Sequence, residues 1–362
     1  MVSTKLPLEL EEEILTRVPP FSLHRFRVVC KQWNALFNDK IFINNYLACA
    51  RPRSEFMLMT DSKLYSVNFN LNDEDPNINI RELMSMDFRL LETVPCDGLF
   101  FSYKTTRTAT VWNPWLRQTR LIKIDHMPDP FFICGMGYDS SRTEKRYKLF
   151  GYTIGQKSVV RYVIYEFASN AWKYFDDDPA VCRYFLYNNV SMHGNLYWVS
   201  NYNFETRCFI RVLDCSKEIF KPFCTLPCKN KVSCYSPVLA AFKGERFSLL
   251  QQCRITSNIE IWVTKKKITN ADDGDDVKWI KFMSVLLPNL PIVCQLHSKV
   301  YLVDDSFYGK SVVTCCNDET GQLCVYIVRG DICRKIKLDD VVGELRRCFL
   351  YIPSLISLRD FR

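Results

Sequence analysis

The stretch Leu6-Pro7-Leu8-Glu9-Leu10-Glu11-Glu12-Glu13-Ile14-Leu15-Thr16-Arg17-Val18-Pro19-Pro20 decides how this chain is divided. Proline is tolerated in the first turn of a helix, where its missing N–H would have no partner. Glu9, Glu11, Glu12 and Glu13 suit the positive end of the helix dipole. Leu10, Ile14 and Val18 recur at every fourth position with Leu15 beside them, and Pro19-Pro20 stops the run. Ser22 suits an N-cap. Leu23, Phe26, Cys30, Trp33 and Phe37 then follow at helical spacing, with Val29 and Leu36 widening the apolar face and Arg25, Arg27 and Lys31 on the polar side. Asn38-Asp39 suits a third cap, ahead of Ile41, Phe42, Ile43, Tyr46 and Leu47. The spacing predicts a three-helix unit over residues 1–50.

A unit of about fifty residues buries too small a fraction of its surface to hide this many large apolar side chains. Either a partner covers the surplus or the helices pack on the rest of the same chain, and periodicity favours neither. The residues themselves point to the partner. Leu6-Pro7, Leu10, Ile14-Leu15, Arg17-Val18-Pro19, Leu23 and Val29-Cys30-Lys31-Gln32-Trp33 resemble the F-box motif in order and spacing. The resemblance implies a helical bundle that binds the Skp-type adaptor and, through it, the cullin of a Skp-cullin-F-box ubiquitin ligase. It carries over Leu6, Pro7, Leu10, Ile14, Leu15, Val18, Pro19, Leu23 and Trp33 as adaptor-binding residues. Which of these face the adaptor and which the small core of the unit itself is left open.

Beyond a boundary near Arg51-Pro52-Arg53, helical spacing gives way to short runs rich in Val, Ile, Tyr, Phe and Trp, punctuated by Gly, Asn, Asp and Pro. Phe56 to Met86 is a degenerate first unit. Clearer units span Cys96 to Trp115, Gly135 to Trp172, Val190 to Pro227, Val238 to Phe282 and Lys299 to Ile336. Six units over about 285 residues give a period of roughly 48, in the range of kelch-type blades. The expectation is a small all-α unit followed by a large all-β domain over residues 54–340. A six-bladed kelch-like β-propeller is favoured and a β-sandwich is the runner-up. Residues 341–362 read as a tail holding a short helix or a final strand. Gly98-Leu99, Trp112-Asn113-Pro114, Gly135-Met136-Gly137-Tyr138-Asp139, Asn195-Leu196-Tyr197-Trp198, Asp214, Leu226-Pro227 and Ile261-Trp262-Val263 are similar, in their order, to the landmarks of the plant F-box-associated domain. The segment Asp61 to Leu90 matches that pattern least.

Composition narrows the function. The 362 residues are 48% hydrophobic, as in a globular protein, with neither an early signal-like segment nor an apolar run of about eighteen residues. No membrane partner is expected, and the chain reads as soluble and intracellular, in the nucleus or cytoplasm. Seventeen scattered cysteines read as reduced, mostly buried thiols. The net charge of +8 is dispersed. Its one basic run, Lys265-Lys266-Lys267, is followed by the acidic Asp272-Asp273-Gly274-Asp275-Asp276, which suits a solvated hairpin tip and no nucleic-acid tract.

No cofactor, metal or catalytic residue is predicted. Gly135-Met136-Gly137 lacks the third glycine of a dinucleotide loop and reads as a β-turn. The Asp272 to Asp276 run lacks the glutamate of a calcium loop, and Cys224, Cys228 and Cys234 miss the usual zinc spacings. His24, His126, His193 and His297 are isolated, and Asp176-Asp177-Asp178 reads as a polar loop. These readings imply a non-catalytic substrate receptor that binds an unknown target protein. The candidate target loops, among which the sequence does not choose, are Ser140 to Arg146, Asp176 to Arg183, Asn201 to Thr206 and Lys265 to Asp276. The alternatives are a propeller-type module that binds protein or glycan without a ligase, or a propeller enzyme.

Overall fold

The structure is a computed structural model that describes residues 6–18, 20–39, 41–43, 45–46, 55–71, 76–85, 92–103, 108–123, 131–142, 144–155, 160–175, 189–201, 207–229, 233–286, 300–305 and 309–358. It opens with α1 (Leu8–Thr16), α2 (Pro20–Phe26) and α3 (Lys31–Leu36). Pro7 begins α1 as expected, its carbonyl accepting the N–H groups of Leu10 and Glu11 at 3.1 Å. The single helix expected from Ser22 to Phe37 is instead two. Residues 27–29 form a turn, and extended Cys30 caps α3, its Sγ accepting the Trp33 N–H at 3.4 Å. The Arg27 guanidinium braces the break, donating to the carbonyl of Phe37 (2.9 Å) and to Asn38 Oδ1 (2.7 Å). Asp39 is the third cap. Its Oδ1 accepts the Ile41 and Phe42 N–H groups at 2.9 Å ahead of helical residues 41–43.

Six four-stranded antiparallel sheets follow among the described residues. Blade 1 contains β1 (Glu55–Thr60), β2 (Lys63–Asn70) and β3 (Asn77–Ser85), and blade 2 β4 (Glu92–Cys96), β5 (Leu99–Tyr103), β6 (Thr108–Asn113) and β7 (Gln118–Lys123). Blade 3 contains β8 (Phe131–Asp139), β9 (Arg146–Ile154), β10 (Val160–Glu166) and β11 (Ala171–Phe175), and blade 4 β12 (Asn189–Met192), β13 (Asn195–Asn201), β14 (Arg207–Asp214) and β15 (Ile219–Lys229). Blade 5 contains β16 (Val238–Phe242), β17 (Arg246–Gln252), β18 (Ile259–Thr264) and β19 (Trp279–Val285), and blade 6 β20 (Tyr301–Asp304), β21 (Ser311–Asn317), β22 (Leu323–Arg329) and β23 (Ile332–Lys337). The last strand, β24 (Leu345–Tyr351), returns to blade 1 and pairs with β1 from Glu55 opposite Tyr351 to Met59 opposite Arg347. The ring is closed in this way, so the architecture is a six-bladed β-propeller and not the runner-up sandwich. The segment after Val341 supplies the closing strand, and Asp61 to Leu90 supplies β2 and β3.

Burial explains the sequence pattern. Middle strands such as β5, β21 and β22 are covered on both faces and read as unbroken apolar runs, whereas the outermost β7 and β23 are largely exposed and polar. A separate hydrophobic cluster fills each of the six gaps between neighbouring blades. Between blades 1 and 2, for example, Phe100 stacks on Trp112 at 4.6 Å and on Tyr351 at 5.2 Å.

The Gly135-Met136-Gly137 run lies within inner strand β8, which corrects the turn reading. Two glycines suit this strand because the next blade presses on it. A Cβ at Gly135 would meet Leu196 at 3.0 Å, and one at Gly137 would collide with the carbonyl of Gly194. That carbonyl accepts the Tyr138 N–H at 2.9 Å. Gly194 itself sits at φ +83° beside His193 at φ +50°, the two-residue turn that takes β12 into β13.

Candidate functional site

The inner strands β24, β4, β8, β12, β16 and β20 all run toward one end of the ring, where β4, β8, β12, β16 and β20 turn into the second strand of their blades and β24 runs on into residues 352–358. Strand alternation places the β6–β7 and β18–β19 connections at that same end. There Asn113, buried at the end of β6, makes four hydrogen bonds. Its Oδ1 accepts the N–H groups of Trp115 (3.0 Å) and Leu116 (3.1 Å), and its Nδ2 donates to the carbonyls of Ser354 (3.0 Å) and Ile356 (3.1 Å). Gln118 Oε1 accepts the Leu358 N–H at 2.9 Å. The segment after β24 is thereby strapped across blade 2.

That strap is the seat of the helical unit. Leu355 and Leu116 form one buried cluster with Leu15, Leu23, Phe37, Phe42, Ile43 and Tyr46, against which Val18, Phe26, Trp33, Leu36, Ile352 and Ile356 are partly buried. Trp33 packs on Phe26 with ring centroids 5.6 Å apart, and its Nε1–H donates to Glu11 Oε2 at 3.1 Å, tying α3 to α1.

The nine residues carried over by resemblance divide sharply. Leu15 and Leu23 are 3% and 0% exposed, in the core just described. Val18 and Trp33 are half-buried at its edge. Leu6, Leu10 and Ile14 are 53%, 46% and 54% exposed, and Pro7 is exposed beside them. Pro19 lies outside the described residues. One side of the helices therefore packs on the same chain, and the other is apolar and open. Leu8 on α1, and Val28 and Val29 in the α2–α3 turn, are exposed as well. Leu8 lies seven residues before buried Leu15, on nearly the same helical face, so periodicity alone does not mark its exposure.

A cavity of about 910 Å³ runs along the ring axis. It is lined from one end of β4 to the other, Thr93 to Asp97, and along β24 from Arg346 to Ile352. Its mouth on the helical side holds Arg142, Lys145, His193 and Asn270. The charges there are engaged. Lys145 Nζ meets Asp97 Oδ2 at 2.6 Å, and Arg142 Nε meets Asp139 Oδ2 at 3.0 Å. Burial works to raise the Asp139 carboxyl, but hydrogen bonds from Ser141, Ser216 and Arg142 hold it down to about 2.

Two of the four candidate target loops can be placed, and both lie at this end. Ser140 to Arg146, described except at residue 143, is anchored by the Asp139 and Asp97 pairs above. In Lys265 to Asp276, Asp273 Oδ2 accepts the N–H groups of Thr269 (2.6 Å) and Asn270 (3.1 Å). Asp272 ion-pairs with Lys217 at 2.9 Å and with Lys221. The acidic run is thus pinned to blade 4 and is not a free hairpin tip. Asp176 to Arg183 and residues 202–206 lie outside the described residues, as do His126 and His297.

Among the described residues, no group of three or more His, Cys, Asp or Glu side chains is arranged to hold a metal. Cys224 and Cys228 sit on β15, and burial pushes both thiols up to about 12. Cys234, a free thiol, lies opposite Cys253 in an isolated antiparallel backbone bridge. No helix among the described residues is long and apolar enough to cross a membrane.

Comparison with known proteins gives concordant matches. Residues 3–45 match the family described as the F-box domain, and residues 55–358 the one described as the F-box associated beta propeller domain. An F-box protein of Arabidopsis thaliana is 46% identical over 380 residues, covering 99% of this chain and 100% of the relative. Protein SUPPRESSOR OF NIM1 1 of the same plant is 44% identical over 378 residues, covering 98% and 99%. An F-box/kelch-repeat protein of that plant is 45% identical over 377 residues, covering 99% and 100%.

Proposed function

Because this chain belongs to the F-box proteins that carry an F-box-associated β-propeller, we propose that it is the substrate-recognition subunit of a Skp-cullin-F-box ubiquitin ligase. Residues 1–50 dock on the Skp-type adaptor, and the β domain holds a target protein. The subunit contributes no catalytic residue. It acts by raising the effective concentration of the target beside ubiquitin-transfer chemistry supplied by other subunits.

One observation carries this reading. The unit is fixed on the propeller through its inner face and still leaves Leu6, Leu10 and Ile14 in water. Apolar side chains kept exposed on an otherwise well-packed helix mark an interface. An adaptor complex of standard size would bury about 1,200–2,000 Å² in total. The shared buried cluster couples the helices to the propeller, so an adaptor held by α1 is placed relative to whatever the propeller holds.

Co-expression of the full chain with a plant Skp-type adaptor, followed by affinity capture and size-exclusion chromatography, tests the proposal. A one-to-one complex that also recruits the cullin is expected. A folded chain that captures neither protein would overturn the receptor reading in favour of a binding module that works alone. Removing residues 1–50 is a poor control, because it would bare Leu116 and Leu355.

A further inference from the structure

The end of the propeller opposite the helical unit carries two cysteines in an arrangement the receptor reading does not use. Cys234 precedes β16 and Cys253 follows β17, and the two form an isolated antiparallel bridge. The Tyr235 N–H donates to the carbonyl of Gln252 (2.9 Å) and the Arg254 N–H to that of Ser233 (2.7 Å). Both bonds flank the bridge, so Cys234 and Cys253 are a non-hydrogen-bonded pair, the closer of the two antiparallel kinds, with Cα atoms typically about 4.5 Å apart. A disulfide spans Cα separations of about 4.4–6.8 Å. The backbone therefore already holds these side chains at bonding range, and both are half-buried, within reach of a small oxidant.

We propose that Cys234 and Cys253 are a reversible thiol–disulfide site on the propeller face away from the helices. The chemistry of Cys253 supports this assignment. Hydrogen bonding by the Thr256 hydroxyl, by the N–H groups of Thr256 and Ile255 and, least, by Cys234 favours its thiolate. Together they lower the thiol to about 7, which makes it the attacking member of the pair at neutral pH.

With oxidised glutathione as the oxidant, the Cys253 thiolate attacks one sulfur of the glutathione disulfide. One glutathione leaves as thiolate, and a mixed disulfide remains on Cys253. Cys234 gives up its proton to solvent and attacks the Cys253 sulfur, which forms the protein disulfide and expels the second glutathione. Two protein thiols are oxidised as one glutathione disulfide is reduced to two thiols.

A second cysteine pair provides an internal contrast. Cys315 and Cys348 meet between blades 6 and 1, where a hydrogen bond to Cys348 and full burial push the Cys315 thiol well above its usual range. Cys315 is fully buried there and its thiol is held protonated, the opposite of Cys253.

The test incubates the full chain in glutathione buffers of graded oxidised-to-reduced ratio, blocks free thiols, and maps tryptic peptides without reduction. A cross-link between residues 232–243 and 247–254 is expected to appear at the mildest oxidising ratios, before any involving Cys315 or Cys348, and to disappear on reduction. Separately, alkylation of Cys253 is expected to follow a midpoint near pH 7, against the ~8.5 of an ordinary thiol. Cys234→Ser should stop the reaction at Cys253 bearing glutathione, while Cys253→Ser should leave Cys234 unmodified. The wild-type map stands without either variant. If Cys253 of the wild type stays glutathionylated with Cys234 free, or the cross-link forms only once the chain unfolds, the proposal is wrong.

Discussion

Two faces of the helical unit carry the same kinds of side chain in opposite surroundings. Leu15 and Leu23 are enclosed by Leu116 and Leu355 of the propeller, whereas Leu10 and Ile14, on the same helix as Leu15, stand largely in water. The inner face behaves as a piece of the propeller's core that happens to be helical. The outer face contributes little to the fold of the isolated chain. Mutations on the two faces should therefore separate stability from binding, which periodicity alone could not promise.

The largest effect belongs to the inner face. Leu23→Ala, or Leu355→Ala from the propeller side, removes a fully buried side chain and is expected to lower unfolding free energy by about 2–5 kcal/mol, the usual range for such truncations. Thermal and denaturant melts of the full chain measure it. If Leu355→Ala leaves the melt of the helical region untouched, the two units are not one cooperative structure, and the contrast between faces loses its basis.

The outer face comes next. Leu10→Asp with Ile14→Asp is expected to leave the melt within about 0.5 kcal/mol, since exposed substitutions seldom do more. Adaptor capture should fall by roughly thirty-fold or more, the loss typical of about 2 kcal/mol at an interface hot spot. Undiminished capture by the folded double variant would move the docking surface elsewhere. Leu6→Ala with Pro7→Ala tests the same face more gently. Trp33→Ala does not separate the faces, because Trp33 packs on Phe26 and bonds Glu11 within the unit's own core.

Asn113 makes most of the side-chain hydrogen bonds that hold the seat. Asn113→Ala strands the N–H groups of Trp115 and Leu116 and the carbonyls of Ser354 and Ile356. Leaving buried groups without partners costs about 1–3 kcal/mol. Hydrogen exchange should quicken first in residues 352–358 and in α1–α3, and only later in blades 3 to 5. Uniform acceleration around the ring would mean that Asn113 supports blade 2 alone.

What the sequence made legible follows from which contacts are local. Blade strands could be read because a strand covered on both faces must be an unbroken apolar run, as in Leu323 to Val328, and the turns between them advertise themselves in pairs such as Asp97-Gly98. The break between α2 and α3 was hidden because Leu23, Phe26, Trp33 and Phe37 keep helical spacing across it and reach the same cluster whether or not the helix is continuous. Gly135 and Gly137 read as a turn because nothing in their neighbourhood of sequence reveals Leu196 and Gly194 pressing on them from the next blade. Asn113-Pro114 was legible as a turn, but its hold on Ser354 and Ile356 spans some 240 residues and has no local signature. The same holds for Cys234, which the sequence grouped with Cys224 and Cys228 while the register across blade 5 gives it Cys253.

The smallest effect sharpens the boundary between the two faces. Trp33→Phe keeps a ring against Phe26 but deletes the Nε1–H that Glu11 accepts at 3.1 Å. Both groups are partly in water, so the stability change should be only about 0.5–1.5 kcal/mol, as for a single hydrogen bond exchanged with solvent. That bond ties α3 to α1, which carries Leu10 and Ile14 outward with Leu6 just ahead of it. A small shift of α1 should therefore raise the adaptor dissociation rate more than it lowers the melting temperature, while Glu11→Gln in a chain with Trp33 intact, which keeps an acceptor for the indole, should leave both near the wild-type values. Surface plasmon resonance beside a thermal melt separates the two quantities. Equal, proportionate losses in both would mean that Trp33 acts only through the core, and that the open face tolerates whatever angle the core gives it.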